Sequence, residues 1–178
     1  MAFPDTFTTA RLHAERLTAS HWGELHRMHQ DPVAMAHLGG VRDASWTTAY
    51  LERNLAHWDR YGFGLWILRA TPEADPVGRA VLRHLLVDDA DEIEVGYGFY
   101  EPYWGRGLAT EVTRACLRFG HDVLRLPALV AVTSPANHAS QHVLHKCGLA
   151  FDRFVTMEGG PQWLFRTRAP AASTTPQA

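Results

Sequence analysis

"EIEVGYGFYEPYWGRGLATEVTRACLRFG", Glu92 to Gly120, is the stretch that decides the fold. Its first part alternates as a strand does. Ile93, Val95, Tyr97 and Phe99 share one face, and Glu94, Gly96 and Gly98 share the other. Glycines inside a strand weaken it, so they mark a bulge or the close approach of another backbone. Gly105 and Gly107 then bracket Arg106, and Leu108, Val112, Ala115, Phe119 and Val123 recur at helical spacing. The pattern predicts strand, glycine loop and helix in succession, the helix starting near Gly107. Bare main chain at a helix mouth offers unpaired N–H groups to an anion.

Outward from this stretch the chain reads as one mixed α/β unit without repeats. "RLHAERLTA" (Arg11 to Ala19) reads as a first strand. Ser20 is the expected cap of a helix that Asp31–Pro32 ends, and Ser45 the expected start of a second helix that Gly62 stops. Strands follow at Leu65 to Ala70, Val77 to Val87 and Ile93 to Tyr100, with "DDADE" as the turn between the last two. After the Gly107 helix come a strand at Leu129 to Thr133 and a short helix in "SPANHASQHVLHKCG", closed by Gly148. "FDRFVTM" and "QWLFRTR" form a hairpin across Glu158 to Pro161. The domain is expected over residues 1–168. The Pro/Ala/Ser/Thr-rich residues 169–178 are expected to be disordered.

Composition removes several classes. A net charge of −2 argues against a nucleic-acid binder driven by bulk electrostatics. No apolar run approaches the ~20 residues of a membrane span, and no signal peptide is expected. Cys116 and Cys147 form no CxxC pair and read as reduced thiols, so a cytoplasmic location is expected. His138, His142 and His145 share a helix face, but no carboxylate or cysteine completes a metal site there, and no metal is expected.

The glycine loop is neither a Walker loop, since no Lys follows, nor a dinucleotide fingerprint, since Thr110 stands where a third glycine belongs. Read alone it leaves open an ordinary strand-to-helix turn, or a nucleotide or phosphosugar site. The glycine-bearing strand adds to it. A strand that parts from its neighbour leaves N–H and C=O groups for an extended, amide-bearing ligand. Pantetheine is such a ligand, and its pyrophosphate end would reach the Gly105–Gly107 loop. Strand and loop together describe coenzyme A.

These stretches, with "ARLHAERLTASH", "DPVAMAHLGG", "YGFGLWIL" and "PANHASQHVLHKCGLAF", resemble the GNAT superfamily of N-acetyltransferases, in its RimJ/RimL-like (ribosomal-protein N-terminal acetyltransferase-like) branch. The family's loop signature, Gln/Arg-x-x-Gly-x-Gly/Ala, reads here as "WGRGLA", with Trp104 in the first place. The resemblance implies the GNAT acyl-CoA N-acyltransferase fold: a central, mostly antiparallel, splayed sheet flanked by helices. It implies acetyl-CoA as cosubstrate and a primary amine as acceptor, either a protein N-terminus or a small molecule. It leaves room for a homodimer, which no residue decides.

Carried over by position, the backbone of Tyr97, Gly98 and Phe99 would pair with the pantetheine arm. The loop Trp104, Gly105, Arg106, Gly107, Leu108, Ala109 and Thr110 would hold the pyrophosphate, and Asn137 would hydrogen-bond the arm. Ser140 lies where the branch places a hydroxyl near the thioester sulfur, as general acid, although Ser is also a common helix cap. Attack requires a neutral amine, so a base must take a proton. Glu94, on the glycine face, is the first candidate, ahead of Glu92 and His84. A non-catalytic acyl-CoA-binding regulatory protein of the same fold is the alternative.

Overall fold

The computed structural model describes residues 5–157 and 160–168. The expected disorder of residues 169–178 and the tip of the last hairpin lie outside them. Eight strands form one sheet in the order β1-β2-β3-β4-β5-β6-β8-β7. They are β1 (Thr6–Thr8), β2 (His13–Arg16), β3 (Leu65–Arg69), β4 (Pro76–Val87), β5 (Ala90–Phe99), β6 (Ala128–Thr133), β7 (Ala150–Met157) and β8 (Gly160–Arg168). Four helices accompany them: α1 (Trp22–Gln30), α2 (Ala44–Tyr61), α3 (Leu108–Arg118) and α4 (His138–Lys146). Every neighbouring pair is antiparallel except β5 and β6. This is the expected mixed α/β, mostly antiparallel architecture.

The local differences have plain causes. β1 went unread because three residues are too few to show alternation. Thr18, not Ser20, opens the first helical segment: its N–H donates to His21 Nδ1 at 2.9 Å, and a 3₁₀ turn (Ala19–His21) precedes α1. Asp43, not Ser45, caps α2 by accepting from Trp46 N at 2.8 Å. The β4–β5 turn is shorter than "DDADE". Asp88 and Asp89 both take positive φ, as a two-residue hairpin turn requires, and Ala90 already pairs with Val87. The expected bulge at Gly96 and Gly98 is absent: β4 and β5 keep one register from Val87↔Ala90 to Gly78↔Phe99. Gly98 instead answers a close approach, because a Cβ there would lie 2.9 Å from Leu38 Cδ1.

The core centres on Trp58 and Trp66, both buried and edge-to-face at 5.2 Å, with Trp58 Nε1 donating to Leu65 O at 2.9 Å. Between α1 and α2 lies His29, fully buried against Trp46 and Tyr50, its Nδ1 3.0 Å from Thr47 Oγ1. Burial, reinforced by the charge of Arg79, lowers its pKa to about 3. The neutral ring is therefore the folded form. In the unfolded chain His29 takes up a proton near its ordinary pKa of 6.5, so stability is fully present above that value and is lost as pH falls towards 3. Denaturant melts should show stability falling by up to about 1.4 kcal/mol per pH unit below pH ~6. His29→Gln should flatten that slope by about one proton; an unchanged slope would contradict the assignment.

Candidate active site

The site begins where the sheet parts. Tyr100 N donates to Val77 O across the β4 edge at 3.1 Å. Backbone groups alternate sides along a strand, so those of Gly96 and Gly98 also face β4, and those of Tyr97 and Phe99 face β6. The parallel β5–β6 pairing consists of Glu94↔Val130 alone. Past it, Tyr97 and Phe99 meet no ladder partner on β6 among the described residues. Trp104 Nε1 takes the Phe99 carbonyl at 2.8 Å. The Tyr97 N–H and C=O and the Phe99 N–H have no hydrogen-bond partner among the described residues, whereas the Gly98 groups face β4.

A groove of about 370 Å³ runs along this edge, lined by Tyr97, Gly98, Phe99, Trp104, Gly105 and Ala109 on one side and Asn137 and Ser140 on the other. At its end stands the mouth of α3. Gly105 and Gly107 have φ of +71° and +77°, which favours glycine at both. No side chain caps Gly107, so the first amides of α3, at Leu108, Ala109 and Thr110, face outward unspent. Leu108 roots the helix in the core. Arg106 is exposed, with its guanidinium 5.5 Å from the centre of the Tyr103 ring. Its carbonyl is held by Arg11 Nη1 at 2.6 Å, and Arg11 is in turn paired with Glu111 at 2.7 Å. Sequence reading missed Arg11 as the loop's brace, since its partner is 100 residues away.

A second, larger cavity of about 990 Å³ opens on the other side. The two share His37, Leu38, Tyr97, Asn137 and Ser140. At this junction Tyr97 Oη lies 3.0 Å from Ser140 Oγ. Burial pushes the Tyr97 phenol up to about 12, so it stays protonated and able to donate. Asn137, not Ser140, caps α4: its Oδ1 accepts from Ser140 N at 3.0 Å. That bond leaves the Ser140 hydroxyl to Tyr97 and the groove. Strand alternation alone could not reveal that the Tyr97 hydroxyl meets Ser140 at this junction.

Glu94 lines the larger cavity, buried at 5% exposure, and accepts from Arg83 Nε at 2.6 Å. Its charge is the main cause that raises the Arg83 pKa above the ordinary value. Glu92 is held away by a two-point pair with Arg166, at 3.0 and 2.6 Å. His84 lines the cavity but is bonded to Asp91 at 2.9 Å and stacked on Tyr61. Beside it, His57 is locked neutral: Nδ1 donates to Phe63 O, and Nε2 accepts from His84 N. Burial raises both thiols, Cys116 to about 12, so neither is a ready nucleophile.

A family model described as an acetyltransferase (GNAT) domain matches residues 11–150. Among curated proteins, an uncharacterised Bacillus subtilis protein, YkkB, is 28% identical over 125 residues, covering 70% of this chain and 73% of its own. Among solved structures, an acetyltransferase from Agrobacterium tumefaciens superposes with a TM-score of 0.82 at 25% identity, covering 95% of this chain and 96% of that one. A ribosomal-protein-S5-alanine acetyltransferase from Vibrio fischeri shares the fold at a TM-score of 0.72, with 13% identity over 92% of this chain and 96% of its own. With the matched region spanning most of its length, the chain belongs to the acetyltransferase (GNAT) domain family, whose members transfer an acetyl group from acetyl-CoA.

Proposed function

We propose that the protein transfers the acetyl group of acetyl-CoA to a primary amine by direct attack, without a covalent enzyme intermediate. One observation carries the reading: two cavities, one along an unpaired strand edge and one lined by charge, meet at the Tyr97–Ser140 hydroxyl pair. The groove fits the cosubstrate. Unspent groups on Tyr97 and Phe99 suit the amides of a pantetheine arm, and the amides from Gly105 to Thr110 suit a pyrophosphate. When bound, acetyl-CoA supplies the acetyl group as an activated thioester.

The chain's residues divide the remaining work. Ser140, with Tyr97 donating to it, places a hydroxyl proton for the departing sulfur. Glu94, oriented by Arg83, receives the proton that the amine loses, through water. Asn137 fixes Ser140 by capping α4 and keeps its own amide N–H₂ for the groove. Holding amine and thioester together supplies much of the rate. The acceptor is a small-molecule amine or a protein N-terminus.

The Glu94–Arg83 pair is also the observation that favours the second reading, a non-catalytic acyl-CoA-binding protein, because an engaged carboxylate is a weaker base. One pair of measurements separates the possibilities. Acetyl-CoA should raise the melting temperature well above the effect of ATP or NAD, and free CoA should appear only when an amine is added. Stabilisation without amine-dependent CoA release would establish the binder, and equal stabilisation by ATP would establish a nucleotide site.

A further inference from the structure

The larger cavity concentrates positive charge in a chain whose net charge is −2. Arg42, Arg53, Arg60, Arg79 and Arg83 line it, against one carboxylate, Glu94, among the described residues. Arg83 is matched by Glu94 at 2.6 Å. The other four have no carboxylate within ion-pair reach among the described residues. They are held by aromatic faces instead. Arg42 lies 5.0 Å from the Trp46 ring centre, Arg79 and Arg53 lie 5.0 and 5.6 Å from that of Tyr50, and Arg60 lies 5.1 Å from that of Tyr61. Trp46 and Tyr50 stack on each other at 5.1 Å, so the two rings form one platform.

Ring faces orient guanidinium groups without neutralising them; Arg79 Nη1 also donates to Tyr50 Oη, which leaves its Nη2 to grip a planar or tetrahedral anion. Two of these groups also carry an orphan: Nε of Arg42 and Nε of Arg79 are buried with no hydrogen-bond partner among the described residues. Uncompensated buried donors destabilise the free protein and call for an explanation. Arg79 matters most by position. It stands opposite Gly98 in the β4–β5 register, and a Cβ built on Gly98 would lie 3.8 Å from Arg79 Nε. The charge therefore sits beside the strand segment assigned above to the thioester arm.

We infer that the acceptor is a small amine that also bears an anionic group, a carboxylate or a phosphate, held by Arg79 and Arg42. The inference rests on the acetyltransferase reading and narrows it to a substrate class. The cavity, about 990 Å³, has the size of a small-molecule site. The same field has a second effect. Positive charge disfavours the ammonium form of the acceptor, so more of the bound amine is the neutral nucleophile. Binding the anion and deprotonating the amine are then served by one set of residues.

The test is amine-dependent CoA release with matched acceptors: glycylglycine against glycylglycinamide, and phosphoethanolamine against ethanolamine. The first pair probes carboxylate and the second phosphate. A preference of about 10-fold or more in kcat/KM for the anionic member of either pair is expected. Arg79→Gln and Arg42→Gln should abolish the preference while acetyl-CoA still raises the melting temperature as in wild type. Arg79→Gln should also move the rising limb of the kcat–pH profile to higher pH, which a merely structural role would not do. Equal turnover within both pairs, or faster turnover of spermidine or of a neutral decapeptide amide, overturns the inference and leaves the transferase intact. No amine-dependent CoA release from any acceptor overturns the transferase reading and the inference with it.

Discussion

Glu94→Gln is expected to lower kcat by about 100-fold or more, with little change in acetyl-CoA affinity. Gln keeps the shape of Glu and its contact with Arg83 but takes no proton. Among the described residues lining the larger cavity, Glu94 is the one carboxylate, and the nearby His57 has both ring nitrogens engaged. The variant also strips Arg83 of its counter-charge. That loss is softened because the Arg83 side chain is about a third exposed (32%), so solvent takes up part of it. A thermal melt run beside the assay separates a folding defect from a catalytic one. A folded Glu94→Gln enzyme with wild-type kcat would remove Glu94 from the mechanism and leave the proton to water.

The second large effect is expected at the loop. Gly107 has φ of +77°, where a β-branched side chain is strained by about 1–2 kcal/mol. A Cβ there would meet Arg11 Nη2 at an ordinary 3.5 Å, so it is the further methyls of valine that would press on the guanidinium whose Nη1 braces the loop. Gly107→Val should either rotate the α3 mouth or loosen the brace. In both cases the amides that grip a pyrophosphate are misplaced, and acetyl-CoA affinity should fall about 10- to 100-fold. S-acetylpantetheine lacks the pyrophosphate, so its weaker binding should be nearly the same in variant and wild type. Parallel losses for both thioesters would mean that the loop does not hold phosphate.

Much of the cofactor side was legible in the sequence because it is written locally. The alternation of Ile93 to Phe99 places the strand, and Gly107 with the helical spacing after it places the mouth of α3 within a residue. The bulge was a misreading of the right signal. Gly98 is there to admit Leu38, and glycine spacing cannot say which backbone or side chain comes close. The proposed catalytic side depends on contacts between distant segments. Tyr97 meets Ser140 across 43 residues, and Arg11 reaches Glu111 across 100. Glu94 was placed on the correct face, but its commitment to Arg83 depends on the β4–β5 register, which pairs those two residues directly. The arginines of the larger cavity come from α2, β4 and the segment between α1 and α2, so their convergence has no linear trace.

The central claim is that the edge of β5 beyond Glu94, together with the α3 mouth, seats acetyl-CoA. Residue-resolved amide hydrogen exchange with and without acetyl-CoA tests it most directly. Exchange should slow at Tyr97, Phe99 and from Gly105 to Thr110, while Gly96 and Gly98, already bonded to β4, should change little. Saturating acetyl-CoA that leaves the Tyr97 and Phe99 amides exchanging as in the free protein would contradict the account.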